Sequence, residues 1–297
     1  KYLPYIALLI IGSVWATTVP LIKIAVSTGL KPFGITFWEL VVVCLVLGVI
    51  VFVRGYKVSF TKKHLVYCFV LSILGTLFPN AFSYIAAAQL PAGIMAIIIA
   101  TVPMCALTVA LLIKNEALSA RRLVGILIGL CAMIMLAAPG TSLPDPTKAI
   151  FILVAFIAPL CYGIESNYIA AKAPKSLHPV ATLFIASLIA LPIAGVISFF
   201  SDQFFVPSIF AGNALSNAEL AIVAFAFAHA FAYSGYMWLV SLAGPVFTSQ
   251  IAYIVTIIAV ALSWYFLNEE YTGFVWAALG LILFGLTLVQ PRSQNPE

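Results

Sequence analysis

Charge is scarce in this chain. Only 8% of its 297 residues are charged and 64% are hydrophobic, whereas about a quarter of a soluble globular domain is charged. That scarcity excludes a soluble domain. The net charge of +5 is therefore no sign of nucleic-acid binding; its meaning lies in which loops hold the lysines and arginines. Disulfide and zinc frameworks are missing too. The five cysteines, Cys44, Cys68, Cys105, Cys131 and Cys161, all fall inside apolar segments with no CxxC pair, so they read as small packing residues. Nor is there a GxSxG, an HExxH or a His/Asp cluster at ligand spacing. No catalytic residue, metal or cofactor is expected, and no ring-forming filter sequence of a channel is recognisable.

What the chain has instead is long apolar runs. Runs of roughly 20 apolar residues mark membrane-spanning helices, and the sequence predicts ten: Leu3–Val26, Phe33–Val53, Leu65–Ala88, Ala92–Ile113, Arg122–Ala138, Ala149–Lys172, Pro179–Phe200, Ala218–Ser241, Pro245–Leu267 and Gly273–Val289. They are apolar all round, not alternating, which excludes membrane strands. The opening KYLPYIALLIIGSVW has no methionine, so a few residues are expected to precede it. It is too long for a cleaved signal peptide and lacks a small-residue cleavage site.

The loops set orientation. With a cytoplasmic N-terminus, the inside loops hold Lys1, Arg54, Lys57, Lys62, Lys63, Lys114, Arg121, Arg122, Lys172, Lys175 and Arg292, and the outside loops only Lys31 and Lys148. This bias places both termini inside, in the cytoplasmic (inner) membrane. The longest loop, Ser201 to Asn217, has no lysine or arginine and is expected outside.

Tyr84 to Gly140 returns in altered form at Tyr236 to Pro291: Glu116 falls on Glu269, Ser119 on Thr272 and Gly125 on Ala278. Repeats of this kind signal a duplicated unit. The expected fold is thus an all-α integral membrane protein of two five-helix units, residues 1–140 and 141–297. An odd number of spans per unit forces the copies into opposite orientations. Inverted repeats suit carriers whose halves rock about a central site.

Gly12-Ser13-Val14-Trp15 followed by Lys23 and Pro32 resembles the opening of the drug/metabolite transporter superfamily, in its ten-helix EamA-type branch. So does the series Pro103, Glu116, Ser119, Gly125 and its second copy at Glu269, Thr272 and Gly285. The wording around Trp15 and around Pro159-Leu160-Cys161-Tyr162 looks most like the aromatic amino-acid exporter subgroup. The chain departs from the pattern at Glu39, where many relatives have arginine, and at Thr256, which matches Pro103 of the first copy. The resemblance implies export of small metabolites, often amino acids, with no ATP-binding domain on the chain.

Ionisable residues inside a bilayer are costly and so are functional candidates. Lys23 and Glu39 lie near the outer ends of helices 1 and 2, either as an ion pair gating the outer mouth or each snorkelling to the headgroups. Glu165 lies deeper and could hold a substrate amine, titrate as a coupling site or bond a neighbouring helix. His229, near the middle of helix 8, could bond substrate, exchange a proton or be satisfied by another helix. Trp15 and Tyr162 sit at equivalent mid-span positions of the two copies, and Tyr84, Tyr233, Trp238 and Tyr253 add polar-tipped rings for a cavity. Asn80, Ser166 and Gln250, with Asn167, Thr248 and Ser249 beside the last two, complete the candidate lining. Glu116 and Glu269-Glu270 lie on opposite sides of the membrane and read as turn-stabilising groups, with Ser119 an N-cap. Gly125-Ile-Leu-Ile-Gly129 is a GxxxG that either packs helices within the chain or serves a homodimer face. The expected partners are thus a small-molecule substrate and lipid. The leading function is a secondary or facilitative exporter of aromatic or neutral amino acids; the rivals are a membrane-embedded enzyme and a channel.

Overall fold

A computed structural model describes residues 2–116, 119–138, 145–248 and 250–289. Of the residues named above, Lys1, Gly140, Ser249, Pro291 and Arg292 lie outside that set. The described residues form helices joined by short turns, without strands. These are α1 (Leu3–Ser27), α2 (Pro32–Arg54), α3 (Lys62–Ser72), α4 (Phe78–Ala87), α5 (Ala92–Ile99), α6 (Val102–Leu112), α7 (Ala120–Ala137), α8 (Ile150–Lys172), α9 (Pro179–Phe200), α10 (Asn217–Thr248), α11 (Ile251–Phe266) and α12 (Gly273–Val289). Eight helical stretches, counting α3 with α4 and α5 with α6, are long and apolar enough to cross a membrane; α11 and α12 are apolar but shorter.

Local chemistry explains most of the ends. Thr61 and Ser119 cap α3 and α7 with their side-chain oxygens, and prolines open α2 and α9, where a missing N–H costs nothing. Prolines also explain the interruptions. Pro103 cannot donate to the Ile99 carbonyl, and the chain breaks at Ala100-Thr101 between α5 and α6. Pro79 cannot donate to the Gly75 carbonyl, and here the helix widens instead. A π-helical turn, Ile73–Leu77, joins α3 to α4, with the Phe78 N–H donating to the Ile73 carbonyl.

One boundary differs from expectation. A break was expected between Ser241 and Pro245, yet α10 runs 32 residues to Thr248. Pro245 removes a single helical hydrogen bond, which a long helix tolerates. The restart moves to Gln250, the residue before α11, and α11 is correspondingly short.

In the packing, α1 lies against α10 and α11, α8 against α4 and α6, and α2 against α9 and α10. The remaining close pairs are α3 with α9, α5 with α11, and α7 with α12. The α7–α12 crossing is tight because Gly125 and Gly285 face each other: a Cβ added at either would come within about 3 Å of the other's carbonyl. Gly129 lies against the Met104 sulfur. Both glycines of the GxxxG are therefore used inside the protomer, which removes the motif as an argument for a homodimer. Large apolar side chains such as Phe52, Leu112, Phe200 and Trp264 stand exposed around the outside, as a lipid-facing surface requires.

Candidate functional site

Two carboxylates are buried inside the bundle, each seven residues from the end of its helix, or about 10 Å along the axis. Glu39 follows the start of α2 and Glu165 precedes the end of α8, so they approach from opposite ends.

Glu39 is only 2% exposed. Its Oε2 accepts from Asn80 Nδ2 at 2.9 Å and from the Tyr84 hydroxyl at 2.5 Å. Both donors sit on α4, just beyond the π turn. Of the two alternatives for Lys23 and Glu39, an ion pair or snorkelling to the headgroups, the ion pair is not formed. The Lys23 ammonium instead donates to the carbonyls of Ala87 and Leu90, at 2.7 and 2.8 Å. The Ala87 carbonyl ends α4, where a helix has unsatisfied acceptors and a partial negative charge, and the Leu90 carbonyl lies in the turn that follows. Across the turn, the next helix is capped with the opposite sign. Glu269 accepts from the Ala92 and Gly93 N–H groups that open α5, at 2.6 and 3.0 Å, and from the Tyr271 hydroxyl at 2.6 Å. Burial and this carboxylate hold the Tyr271 hydroxyl above the usual tyrosine range, so it serves as a donor. The long loop after α9 folds over the same end of the bundle. Gln203 accepts from the Phe33 N–H, and the Trp38 indole donates to the Phe205 carbonyl.

Glu165 has a different setting. It is 9% exposed, and among the described residues no group donates to it. Its carboxylate lies directly over Gly75 in the π turn, where an added Cβ would collide with Oε1. It lines a cavity of about 100 Å³ together with Tyr67, Thr76, His229, Tyr233 and Met237. The cavity extends to Ala173, Pro174 and Leu177, in the turn that carries Lys175. His229 stacks parallel to Tyr233 at 6.1 Å between ring centres, and Tyr233 meets Trp15 at 6.4 Å. Trp15 also meets Tyr236 edge-on at 5.8 Å. In the other direction His229 touches Phe225, and Phe225 touches Tyr84. A chain of rings thus links the Glu165 cavity with the Glu39 cluster. Tyr162 lies within electrostatic reach of both carboxylates.

The structure therefore gathers Glu165, His229 and Tyr233 in one cavity, with Trp15 one ring away, and groups Asn80 and Tyr84 around Glu39. Other expected lining residues are elsewhere. Trp238 is 45% exposed, on the outer face of α10. Ser166 is exposed and returns its hydroxyl to the Gly163 carbonyl, while Asn167 ties α8 to the Ala106 carbonyl of α6. Gln250 precedes α11, and Tyr253 packs against the main apolar core. Helical phase explains these departures: Ser166 is one residue, about 100°, from Glu165, and so points away. Sequence reasoning missed Tyr67, Gly75, Thr76 and Met237. One signal was present: a glycine four residues before a proline in an apolar run marks a carbonyl without its helical donor.

Comparison with known proteins agrees with this architecture. The EamA-like transporter family matches the chain twice, at residues 3–138 and 149–290. The chain is 28% identical over 286 residues to a protein named "Uncharacterized inner membrane transporter YedA" from Escherichia coli strain K12, covering 95% of this chain and 89% of that one. The same protein of E. coli O157:H7 matches to the same extent. A solved structure described as "Crystal structure of protein" superposes with a TM-score of 0.58 at 16% identity, over 97% of both chains, which shows likeness of fold. With the family matched over nearly its whole length and a polar cavity inside an apolar helical bundle, this chain belongs to the EamA-like transporter family.

Proposed function

We propose that the chain is a secondary or facilitative carrier that exports small metabolites, aromatic or neutral amino acids and their relatives, by alternating access. The single observation that carries this reading is the contrast between the two ends of the bundle. At one end Lys23, Glu39, Glu269 and the Gln203 loop tie helices together. At the other, the Glu165 cavity reaches the lysine-bearing turn between α8 and α9. Taken with the positive-inside bias, that is an inward-facing arrangement, loaded from the cytoplasm, with both termini inside.

The packing supports the finer reading of ten spans in two inverted five-helix units. If each rod of residues 3–138 is exchanged for its counterpart in 149–290, the close pairs map onto one another. The α1–α10 and α1–α11 contacts become α8–α4 and α8–α6; α2–α10 becomes α9–α3; and α2–α9, α5–α11 and α7–α12 map onto themselves. An inverted duplication produces this exchange, and many carriers that alternate access are built from such repeats. In this reading α11 and α12 also cross.

Flux through proteoliposomes tests the proposal. Saturable uptake or efflux of an unmodified amino acid or related metabolite is expected. Chemical conversion would sink the carrier in favour of an enzyme, and non-saturating flux would favour a channel. Measuring flux against pH in Glu165→Gln and His229→Asn tests coupling: an unchanged profile in both removes these groups as the titrating sites.

A further inference from the structure

The Glu165 cavity has acceptors and rings but no cation to answer a carboxylate. The Glu165 carboxylate is nine-tenths buried, faces the cavity, and receives no hydrogen bond among the described residues. Beside it, Gly75 in the π turn has no side chain, which lets the carboxylate sit directly against that helix. No lysine or arginine lines the cavity, and Lys23 is committed to two carbonyls at the Glu39 end. A buried, unpaired carboxylate is costly and is stabilised by a charged donor. The walls beside it, Tyr67, Tyr233 and Met237, suit an apolar or aromatic body, and ring faces attract a cation further.

We infer that this cavity selects a small primary amine, its ammonium donating to Glu165, over the amino acid that bears the same side chain. The reasoning is electrostatic. A zwitterion brings its own carboxylate within a few ångströms of Glu165, and no lysine or arginine in the lining compensates that second negative charge, leaving only His229 and the hydroxyls as donors to it. An amine of the same skeleton brings only the charge the site lacks. The inference rests on the carrier reading for its consequence, which is that amines rather than amino acids are the better cargo.

A matched set of probes separates the possibilities: phenethylamine, phenylalanine and 3-phenylpropionate carry the same ring with an ammonium alone, both groups, and a carboxylate alone. Binding to the purified full chain in detergent is followed by tryptophan fluorescence and by thermal shift, and flux is followed in proteoliposomes. The expected order is phenethylamine tightest, phenylalanine at least about tenfold weaker, because its carboxylate is desolvated beside Glu165 without a cationic partner, and 3-phenylpropionate weakest. Glu165→Gln abolishes the preference, while Glu165→Asp, which keeps the charge, retains the order and shows that a folded cavity is being read. Phenylalanine binding as tightly as phenethylamine, or an undiminished preference in Glu165→Gln, overturns the inference and leaves the carrier reading standing. An amine preference in binding without flux of any probe upholds the site and sinks the carrier.

Discussion

The turn at Glu116 and the turn at Glu269 carry the same signal in sequence and hold different bonds. Glu116 pairs with Arg122 at 2.8 Å, six residues away, and its side chain is 46% exposed. Glu269 reaches 177 residues back along the chain to the first N–H groups of α5, and also takes the Tyr271 hydroxyl. The first is a solvated pair within its own turn, of a kind worth about 0–1 kcal/mol. The second caps a helix of the other half from a partly buried position, where charge-assisted bonds are each worth about 1.5–3 kcal/mol. Matching residues need not do matching work: Glu269 holds a distant helix, while Glu116 bonds only within its own turn.

Four substitutions test that contrast, with stability read by thermal or denaturant unfolding in detergent. Glu269→Ala is expected to cost most, about 4–5 kcal/mol, since it orphans two backbone donors and a tyrosine hydroxyl. Gly93→Ala follows, at about 2 kcal/mol, the scale of overpacking, because the added Cβ would strike the Tyr271 hydroxyl. Part of that loss should vanish when Tyr271→Phe is combined with it, a coupling that a double-mutant cycle reads directly. Tyr271→Phe alone removes one of the three bonds to Glu269 and should cost about 1.5 kcal/mol. Glu116→Ala is expected to cost under about 0.5 kcal/mol, and less still at high salt. If Glu116→Ala destabilised as much as Glu269→Ala, the two turns would be equivalent and the contrast between the two ends would fail.

The apolar runs and the Ser119 cap were legible in the sequence because they depend on neighbours along the chain. Trp15, Glu165, His229 and Tyr233 stood out because ionisable and amphipathic groups deep in a span have few places to go, and the last three share one cavity. What Glu269 caps was not legible, because its target is set by tertiary packing. The partners of Lys23 were hidden for the same reason: helix-end carbonyls answered its charge better than a carboxylate already held by Asn80 and Tyr84. The expected break at Gly244-Pro245 failed because a proline weakens a helix without obliging it to stop.

The π turn at Ile73–Leu77 sets a phase. Such a turn takes in one residue more than an α turn, and each helical residue advances the azimuth by about 100°. Everything after it on α4 is rotated by that amount relative to an uninterrupted helix. Asn80 and Tyr84 face Glu39 only because of the extra residue, and Gly75 lies under Glu165 only because it belongs to it. Deleting one residue within Ile73–Leu77 would swing the two donors away from Glu39 while leaving composition and hydropathy almost untouched. One backbone irregularity thus indexes both carboxylates to the same helix, so a single-residue insertion or deletion here would recode both clusters at once.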